Sequence, residues 1–288
     1  MLARPGRYSI DALLPPEIAR FAEAEGLKKA KQDPVRTLTL AFLAGNFVGL
    51  GAMFSTLAMA GTAGQVPFGI ARIVFGLAFC IGPILVIVGG AELFTSNNLI
   101  VMAWAGGKIG TRHLLRNWAL VYAGNFIGAT TLAILLFLSE QYTFGGGVIG
   151  QTALLISEHK TSLSFSQAVI LGVLCNTLVC LAVWLSFSAR STTDKILAVI
   201  FPITLFMAAG FEQSIANMYF ITFGLLIQTF DPDFVLRAGY ELPNLTLQGY
   251  LSNLIPVTLG NIIGGGGMVS LVYWFIYLRH PDEIHSMD

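Results

Sequence analysis

The sequence predicts an all-helical integral membrane protein with six membrane-spanning helices. Of its 288 residues, 55% are hydrophobic and only 11% are charged, whereas soluble proteins carry roughly 25% charged residues. The 16 basic and 16 acidic residues cancel, so the chain lacks the basic surplus of a nucleic-acid-binding protein. Composition therefore excludes an ordinary soluble enzyme, a disordered chain and a nucleic-acid binder.

Six apolar runs support this fold class, and each has the roughly 20 residues needed to cross a bilayer core about 30 Å thick. The runs cover about 38–60, 70–104, 114–138, 165–188, 195–228 and 250–278. We expect a cytoplasmic N-terminal segment at 1–36, a single transmembrane domain at 37–279 and a cytoplasmic tail at 280–288. Thirteen of the 16 basic residues lie on the side of the termini. The positive-inside rule then predicts a multi-pass protein of the cell membrane with both termini in the cytoplasm.

Residues 9–31, before the first run, have the pattern of a short amphipathic helix among charges. One interpretation is a cap that lies against the membrane or a neighbouring subunit. The alternative is a regulatory plug.

The second and fifth runs are too long for one untilted span, and a polar stretch around a glutamate interrupts each. The interruptions are residues 89–98, around Glu92, and residues 210–217, around Glu212. Unwound backbone and ionisable side chains are tolerated at membrane depth only inside protein or beside a water-filled space. Two broken helices therefore predict a solute pathway.

The polar side chains at the breaks divide into two groups. Glu92 and Glu212 are expected to be structural and to accept hydrogen bonds from backbone N–H groups that each break leaves free. Ser96 and Asn217 belong with them as residues of the breaks. The neutral donors Thr95, Ser96, Gln213 and Ser214 are the candidates for contact with a solute.

A repeat relates the two halves of the chain. The third run contains Gly124–Gly128 (GNFIG) and the sixth contains Gly260–Gly264 (GNIIG). Three spans per half require the halves, at about 37–140 and 165–279, to be inverted relative to each other, which points to a site at the membrane midplane. Asn46, Asn125, Asn176 and Asn261 either bond neighbouring helices or face this site. The glycines at 264–267 are expected to allow close helix packing.

Catalysis is not expected, because no metal-ligand, nucleophile or phosphate-loop motif occurs and no histidine falls inside a span. The cysteines Cys80, Cys175 and Cys180 lie within apolar runs and are expected to be buried. No metal or cofactor is expected.

At these positions the chain resembles the formate/nitrite transporter family over about residues 10–279. The matching segments are AELFTS at 91–96, NWALVYAG at 117–124, SEHK at 157–160, NTLVCLAVWLSFSAR at 176–190, GFEQSIANM at 210–218 and NLIPVTLGNIIGGG at 253–266. The resemblance implies a homopentamer in which each protomer holds an aquaporin-like pore. It also implies a small monovalent anion as the permeant, with formate as the first candidate.

The resemblance assigns roles to individual residues. Leu93 and Phe94 match apolar constrictions, and Thr95 matches a polar contact at the pore centre. Phe79 and Phe206 match the cytoplasmic constriction and Val179 the opposite one. Asn176 matches a polar residue near the pore, and Lys160 matches a vestibular positive charge that attracts anions. Pro83 stands where the family's formate channels carry a leucine near Phe79, so the resemblance assigns no role to this position.

One departure concerns the mechanism. The family's formate channels have a histidine directly after the glutamate of the fifth-helix break, where this chain has Gln213. Histidine can hand a proton to an anion near neutral pH, but glutamine can only donate and accept hydrogen bonds. The sequence therefore predicts a passive anion pore.

Several alternatives stay open from sequence alone. The same scaffold could pass nitrite, bicarbonate or hydrosulfide instead of formate. The uncharged centre also fits a pore for water or glycerol. A structural or sensor protein that uses the pore fold without transport is the third possibility.

Overall fold

The computed structural model describes residues 13–279, and this part of the chain consists of helices joined by turns. Six of its helices are long and apolar enough to cross a membrane, which confirms the six predicted spans. They are Pro34–Met59, Phe68–Gly89, Thr111–Leu138, Phe165–Phe187, Thr192–Ala209 and Leu247–Tyr277. The predicted tail at 280–288 lies outside the described residues, as do residues 1–12.

The α-helices of the described residues, in chain order, are α1 Pro15–Lys31, α2 Pro34–Met59, α3 Phe68–Phe79, α4 Ile81–Gly89, α5 Val101–Ala105, α6 Thr111–Leu138, α7 Val148–Thr161, α8 Phe165–Phe187, α9 Thr192–Ala209, α10 Ser214–Phe230, α11 Pro232–Ala238, α12 Leu247–Ile262 and α13 Val272–Tyr277. Two 3₁₀ helices, Ser96–Ile100 and Gln141–Thr143, and a π-helix, Ile263–Leu271, complete the set.

The outer faces of the spans are apolar. Phe201 is 75% exposed, Leu138 69% and Phe275 57%. Exposed apolar area on this scale is unfavourable in water, whereas a bilayer covers it at no cost. The surface therefore belongs in lipid, and the chain is a multi-pass membrane protein.

Both predicted helix breaks are present. The helix α4 ends at Gly90 with φ 73°, and α9 ends at Gly210 with φ 78°. A side chain would strain this left-handed conformation, so glycine is the residue that allows each helix to stop inside the membrane. The chain becomes helical again at Ser96 and at Ser214.

Glycines bring paired helices into backbone contact in both halves. A Cβ added to Gly128 of α6 would collide with the Phe42 carbonyl of α2, and one on Gly264 would collide with the Val173 carbonyl of α8. The predicted close packing thus holds for Gly264, whereas Gly267 has no atom within 4 Å of an added Cβ.

The N-terminal helix α1 packs on its own chain. Ile18, Ala19 and Ala22 are buried against residues such as Met102 and Trp184. This face therefore packs within the protomer, and contact with the membrane or another subunit stays a prediction for the exposed face. The small residues of α1 allow close approach, and an added Cβ on Gly26 would lie 3.2 Å from the Ile100 Cα.

Candidate functional site

The first helix break holds a buried ion pair. Lys29 Nζ lies 3.1 Å from Glu92 Oε2, and Asn97 Nδ2 donates to the same oxygen at 2.6 Å. Lys29 also donates to Asn97 Oδ1 at 2.9 Å. Asn117 closes the cluster, since its Oδ1 accepts from Asn97 Nδ2 at 3.0 Å and its Nδ2 donates to the Lys29 carbonyl at 3.2 Å.

The second break repeats this arrangement. Lys160 Nζ lies 2.8 Å from Glu212 Oε1, and Asn217 Nδ2 donates to Glu212 Oε2 at 2.6 Å. Asn253 accepts from Asn217 at 2.7 Å and donates to the Lys160 carbonyl at 2.8 Å. Each of these bonds has its counterpart at the first break, so corresponding side chains build the two breaks.

The two repeat asparagines satisfy the unwound backbone. Asn125 Oδ1 accepts from Phe94 N at 2.9 Å, while its Nδ2 donates to the carbonyls of Ala41 and Glu92. Asn261 Oδ1 accepts from Ser214 N at 3.0 Å, and its Nδ2 donates to the carbonyls of Gly172 and Glu212.

The structural role expected of the two glutamates is not contradicted, but their expected backbone partners are wrong. Their carboxylates accept from Lys29, Lys160 and the asparagine side chains rather than from freed backbone N–H groups. A neutral amide can both donate and accept at a helix break, while a buried carboxylate needs a cationic partner. Asparagine thus holds the backbone, and glutamate binds the lysine.

Thr95 and Gln213 meet at the junction of the two breaks. Gln213 Nε2 donates to Thr95 Oγ1 at 3.2 Å, and both residues are buried, at 1% and 0% exposure. Asn176 donates to the Thr95 carbonyl at 3.2 Å and to the Asn261 carbonyl at 2.7 Å. Among the described residues, Gln213 Oε1 has no hydrogen-bond partner. Thr95 and Gln213, two of the four neutral donors singled out from the sequence, therefore form one polar cluster with Asn176.

Two cavities lie at opposite ends of this cluster. The α7 vestibule has a volume of about 690 Å³ and is lined by Arg72, Lys160, Glu212 and aromatic side chains. The α1 vestibule has a volume of about 280 Å³, and Lys29, Glu92 and Ser96 lie in its wall. Lys160 thus lines a vestibule as expected, but its charge is paired with Glu212.

Apolar side chains lie between the vestibules. Phe79 and Phe206 form an edge-to-face pair with centroids 5.7 Å apart. Phe94 is 3% exposed and lies edge-on to Tyr122 at 5.0 Å. Leu93, next to it, is 2% exposed.

The structure reverses the expected ends of the constrictions. Phe79 lies one helical turn from Phe75, which lines the α7 vestibule. Val179 lies one turn from Val183, which lines the α1 vestibule beside the N-terminal helix. Phe79 and Phe206 therefore belong to the end away from α1, because α3 enters the membrane there, and Val179 belongs to the N-terminal end.

Lys29, Asn97, Asn117 and Asn253 are the residues that sequence reasoning missed. Lys29 is one of seven basic residues in the N-terminal segment, and nothing in the sequence distinguishes it from the other six. A signal was present, since both breaks have an asparagine five residues after the glutamate, as in Glu92/Asn97 and Glu212/Asn217.

Comparison with known proteins agrees with this geometry. A family model described as formate/nitrite transporter matches residues 16–275. The formate channel FocA of Escherichia coli K12 is 46% identical over 278 residues, which cover 95% of this chain and 97% of FocA. The formate channel FocA of Haemophilus influenzae is 37% identical, with 97% of this chain and all of the relative covered. A solved structure described as a pentameric formate channel with formate bound superposes with a TM-score of 0.80 at 43% identity, covering 85% of this chain and 98% of that one. This chain therefore belongs to the formate/nitrite transporter family.

Proposed function

We propose that the protein is a homopentameric channel that conducts formate, or a similar small monovalent anion, through a pore in each protomer. Relatives named as formate channels and the pentameric, formate-bound structure support both the solute and the assembly. The protein is a transporter and not an enzyme, since the permeant crosses unchanged.

The observation that carries this proposal is the neutral Thr95–Gln213 pair, buried between two vestibules that each hold a lysine. Thr95 Oγ1 accepts from Gln213 and so keeps its own hydrogen for another acceptor. The second hydrogen of Gln213 Nε2 is a further donor. Together they offer an anion two hydrogen bonds at the point where it has lost its water.

The remaining residues act at the two ends and in the narrow part of the path. Lys29 and Lys160 balance the buried carboxylates of Glu92 and Glu212 at the two ends, so that these carboxylates do not repel an anion. Leu93, Phe94, Phe79, Phe206 and Val179 restrict the passage and exclude water. A bare anion in such a passage pays a large desolvation cost, which the donors at Thr95 and Gln213 offset in part. The cluster contains no titratable side chain, so transport is passive.

Flux in liposomes tests the passive mechanism. With formate fixed on both sides, we expect the initial flux to change less than about twofold when an inward proton gradient is imposed. Gln213→Ala and Thr95→Ala should each lower the flux at least about tenfold, because each removes one hydrogen bond to a charged group. Strong dependence on the gradient would overturn the passive mechanism. Unchanged flux in both variants would contradict the role of the pair, whereas no flux above that of empty liposomes in any sample would favour a structural or sensor protein.

A competition assay identifies the solute. Formate, nitrite, bicarbonate and hydrosulfide are offered together to the reconstituted protein, and we expect formate to be preferred. Preference for another of these anions would keep the pore and change its substrate.

Swelling of the same liposomes in glycerol tests the neutral-solute alternative, which the uncharged cluster makes reasonable, and we expect no swelling above empty liposomes.

A further inference from the structure

The α7 vestibule is larger than a formate-sized anion needs. Its volume of about 690 Å³ falls within the roughly 300–1,000 Å³ of sites for drug-sized molecules. The passage beyond it narrows at the Phe79–Phe206 pair. A molecule too large to pass this pair can still occupy the vestibule.

Arg72 gives this vestibule a net positive charge, because two cations, Arg72 and Lys160, share its wall with one carboxylate, Glu212. Lys160, in the same wall, is paired with Glu212 at 2.8 Å. In the described part of the chain, no carboxylate lies within ion-pair distance of Arg72. The guanidinium donates from Nε to the Ala208 carbonyl at 2.9 Å and from Nη2 to the Met207 carbonyl at 2.6 Å. Of its five N–H groups, three therefore stay available to a ligand.

The guanidinium is also fixed in orientation. Its two backbone acceptors lie at the carboxyl end of α9, and its Cζ lies 5.1 Å from the centre of the Phe75 ring. An arginine that is already ordered loses little conformational entropy when it binds a carboxylate. The planar fork suits a carboxylate better than it suits a spherical anion.

The rest of the wall is largely apolar and aromatic. Phe68, Phe75, Phe211 and Tyr240 line the cavity that Arg72 and Lys160 share. A cavity with an apolar wall and a few placed polar groups is the usual form of a site for an organic ligand. Its combination of one oriented cation and several rings selects a ligand with one anionic end and one aromatic end.

We propose that the α7 vestibule is a binding site for aromatic monocarboxylates, which place the carboxylate on Arg72 and the ring among the aromatic side chains. A bound ligand closes the path above the Phe79–Phe206 pair and blocks the pore from that end. The block rests on the proposed function, whereas the binding does not.

Calorimetry on the purified full-length protein in detergent, with benzoate as the probe, tests the binding. We expect one saturable site per protomer and much weaker binding of benzamide, which has the same ring without the charge. Arg72→Gln should lower the affinity at least about tenfold, because it removes hydrogen bonds to a charged group. Lys28→Gln, which removes an exposed cation from the wall of the opposite vestibule, should leave it unchanged. Equal binding of benzamide, or full binding to Arg72→Gln, would overturn the site.

A second variant guards against a folding artefact, because Arg72 also bonds the end of α9. Phe211→Ala leaves Arg72 in place and removes part of the aromatic wall, and we expect it to weaken benzoate binding several-fold. Undiminished binding to Phe211→Ala contradicts the proposed pose, whether or not Arg72→Gln folds.

In liposomes, benzoate should slow formate flux in the wild type and much less in Phe211→Ala. Binding without any slowing would overturn the block, while absence of formate flux from every sample would count against the proposed function alone.

Discussion

Gln213 is the residue proposed to bind the anion at the centre of the protein. It is buried, it donates to Thr95, and its carbonyl oxygen has no partner among the described residues. An amide offers the same hydrogen bonds at every physiological pH, whereas a histidine changes its charge within that range. A change from glutamine to histidine at this position should therefore alter whether transport depends on protons without altering the fold of the pore.

Gln213→His should couple flux to pH. With formate constant, we expect the flux of the variant to fall severalfold as the pH rises from about 5.5 to 7.5, since the imidazole then loses the proton that it could pass to the anion. The wild type should change much less over the same range. The measurement is formate flux in liposomes at matched internal and external pH, with Gln213→Asn as the control that keeps an amide. An equal pH profile for Gln213→His and the wild type would contradict this role.

The two half-buried lysines that pair with the buried glutamates should differ in what they contribute to stability. The Lys160 side chain is 12% exposed and that of Lys29 is 29%. Removing one partner from a buried pair costs about 3–5 kcal/mol, so Lys160→Met should lower the thermal unfolding temperature more than Lys29→Met does. The double variant Lys160→Met/Glu212→Gln should recover most of the loss, because no unpaired charge stays buried. Failure of the double variant to recover would mean that the lysine stabilises by packing alone.

At the scale of elements, the asparagines of the repeat join each broken helix to its neighbours. Asn125 and Asn261 each bond one backbone N–H and two carbonyls across three segments of chain. Their importance could be predicted from the repeated GNxIG pattern and its place in both halves. The lysines could not be predicted in the same way. The sequence places Lys28, Lys29 and Lys31 on one polar helix, and only the docking of α1 decides which of them reaches Glu92.

Removing one of these asparagines should destabilise the protein strongly. Asn261→Leu leaves Ser214 N and two carbonyls without their partner, and each unsatisfied buried group costs about 1–3 kcal/mol. The control is Asn46→Leu, because Asn46 is half-buried and donates only to the Phe42 carbonyl of its own helix. Thermal unfolding in detergent should show a much larger loss for Asn261→Leu. Similar losses for the two variants would mean that Asn261 does not hold the break.

The glycine run in the last span offers a sharper comparison of two neighbouring positions. Gly264→Ala drives a methyl group into the Val173 carbonyl, while the same change at Gly267 meets nothing within 4 Å. Overpacking of this kind costs about 1–3 kcal/mol, whereas alanine in an unobstructed helix is neutral or stabilising by up to about 1 kcal/mol. Gly264→Ala should therefore lower the unfolding temperature and Gly267→Ala should not. The reverse order would contradict the helix crossing described above.

At the scale of the whole molecule, the sequence predicts more of the architecture than of the polar network. Hydropathy alone predicts the six spans, because the bilayer demands a run of fixed length. Glycine and glutamate mark the two breaks, because few residues fit there. The prediction of which constriction lies nearer the N-terminal helix is wrong, because residue identity does not reveal at which face of the membrane a half-helix begins. The domain bounds at 37–140 and 165–279 stay predictions.

The orientation of the molecule is the last prediction. The topology predicted from the sequence places thirteen of the 16 basic residues on the side of the termini and leaves Arg72, Lys160 and Arg237 on the other side. Basic residues near membrane spans stay in the cytoplasm, so green fluorescent protein fused after Asp288 should fluoresce. Alkaline phosphatase, which is active only outside the cytoplasm, should be inactive there and active when inserted in the loop that follows Gly239. The opposite pair of results would mean that the protein has the reverse orientation in the membrane and that the α7 vestibule faces the cytoplasm. Benzoate would then have to reach Arg72 from inside the cell.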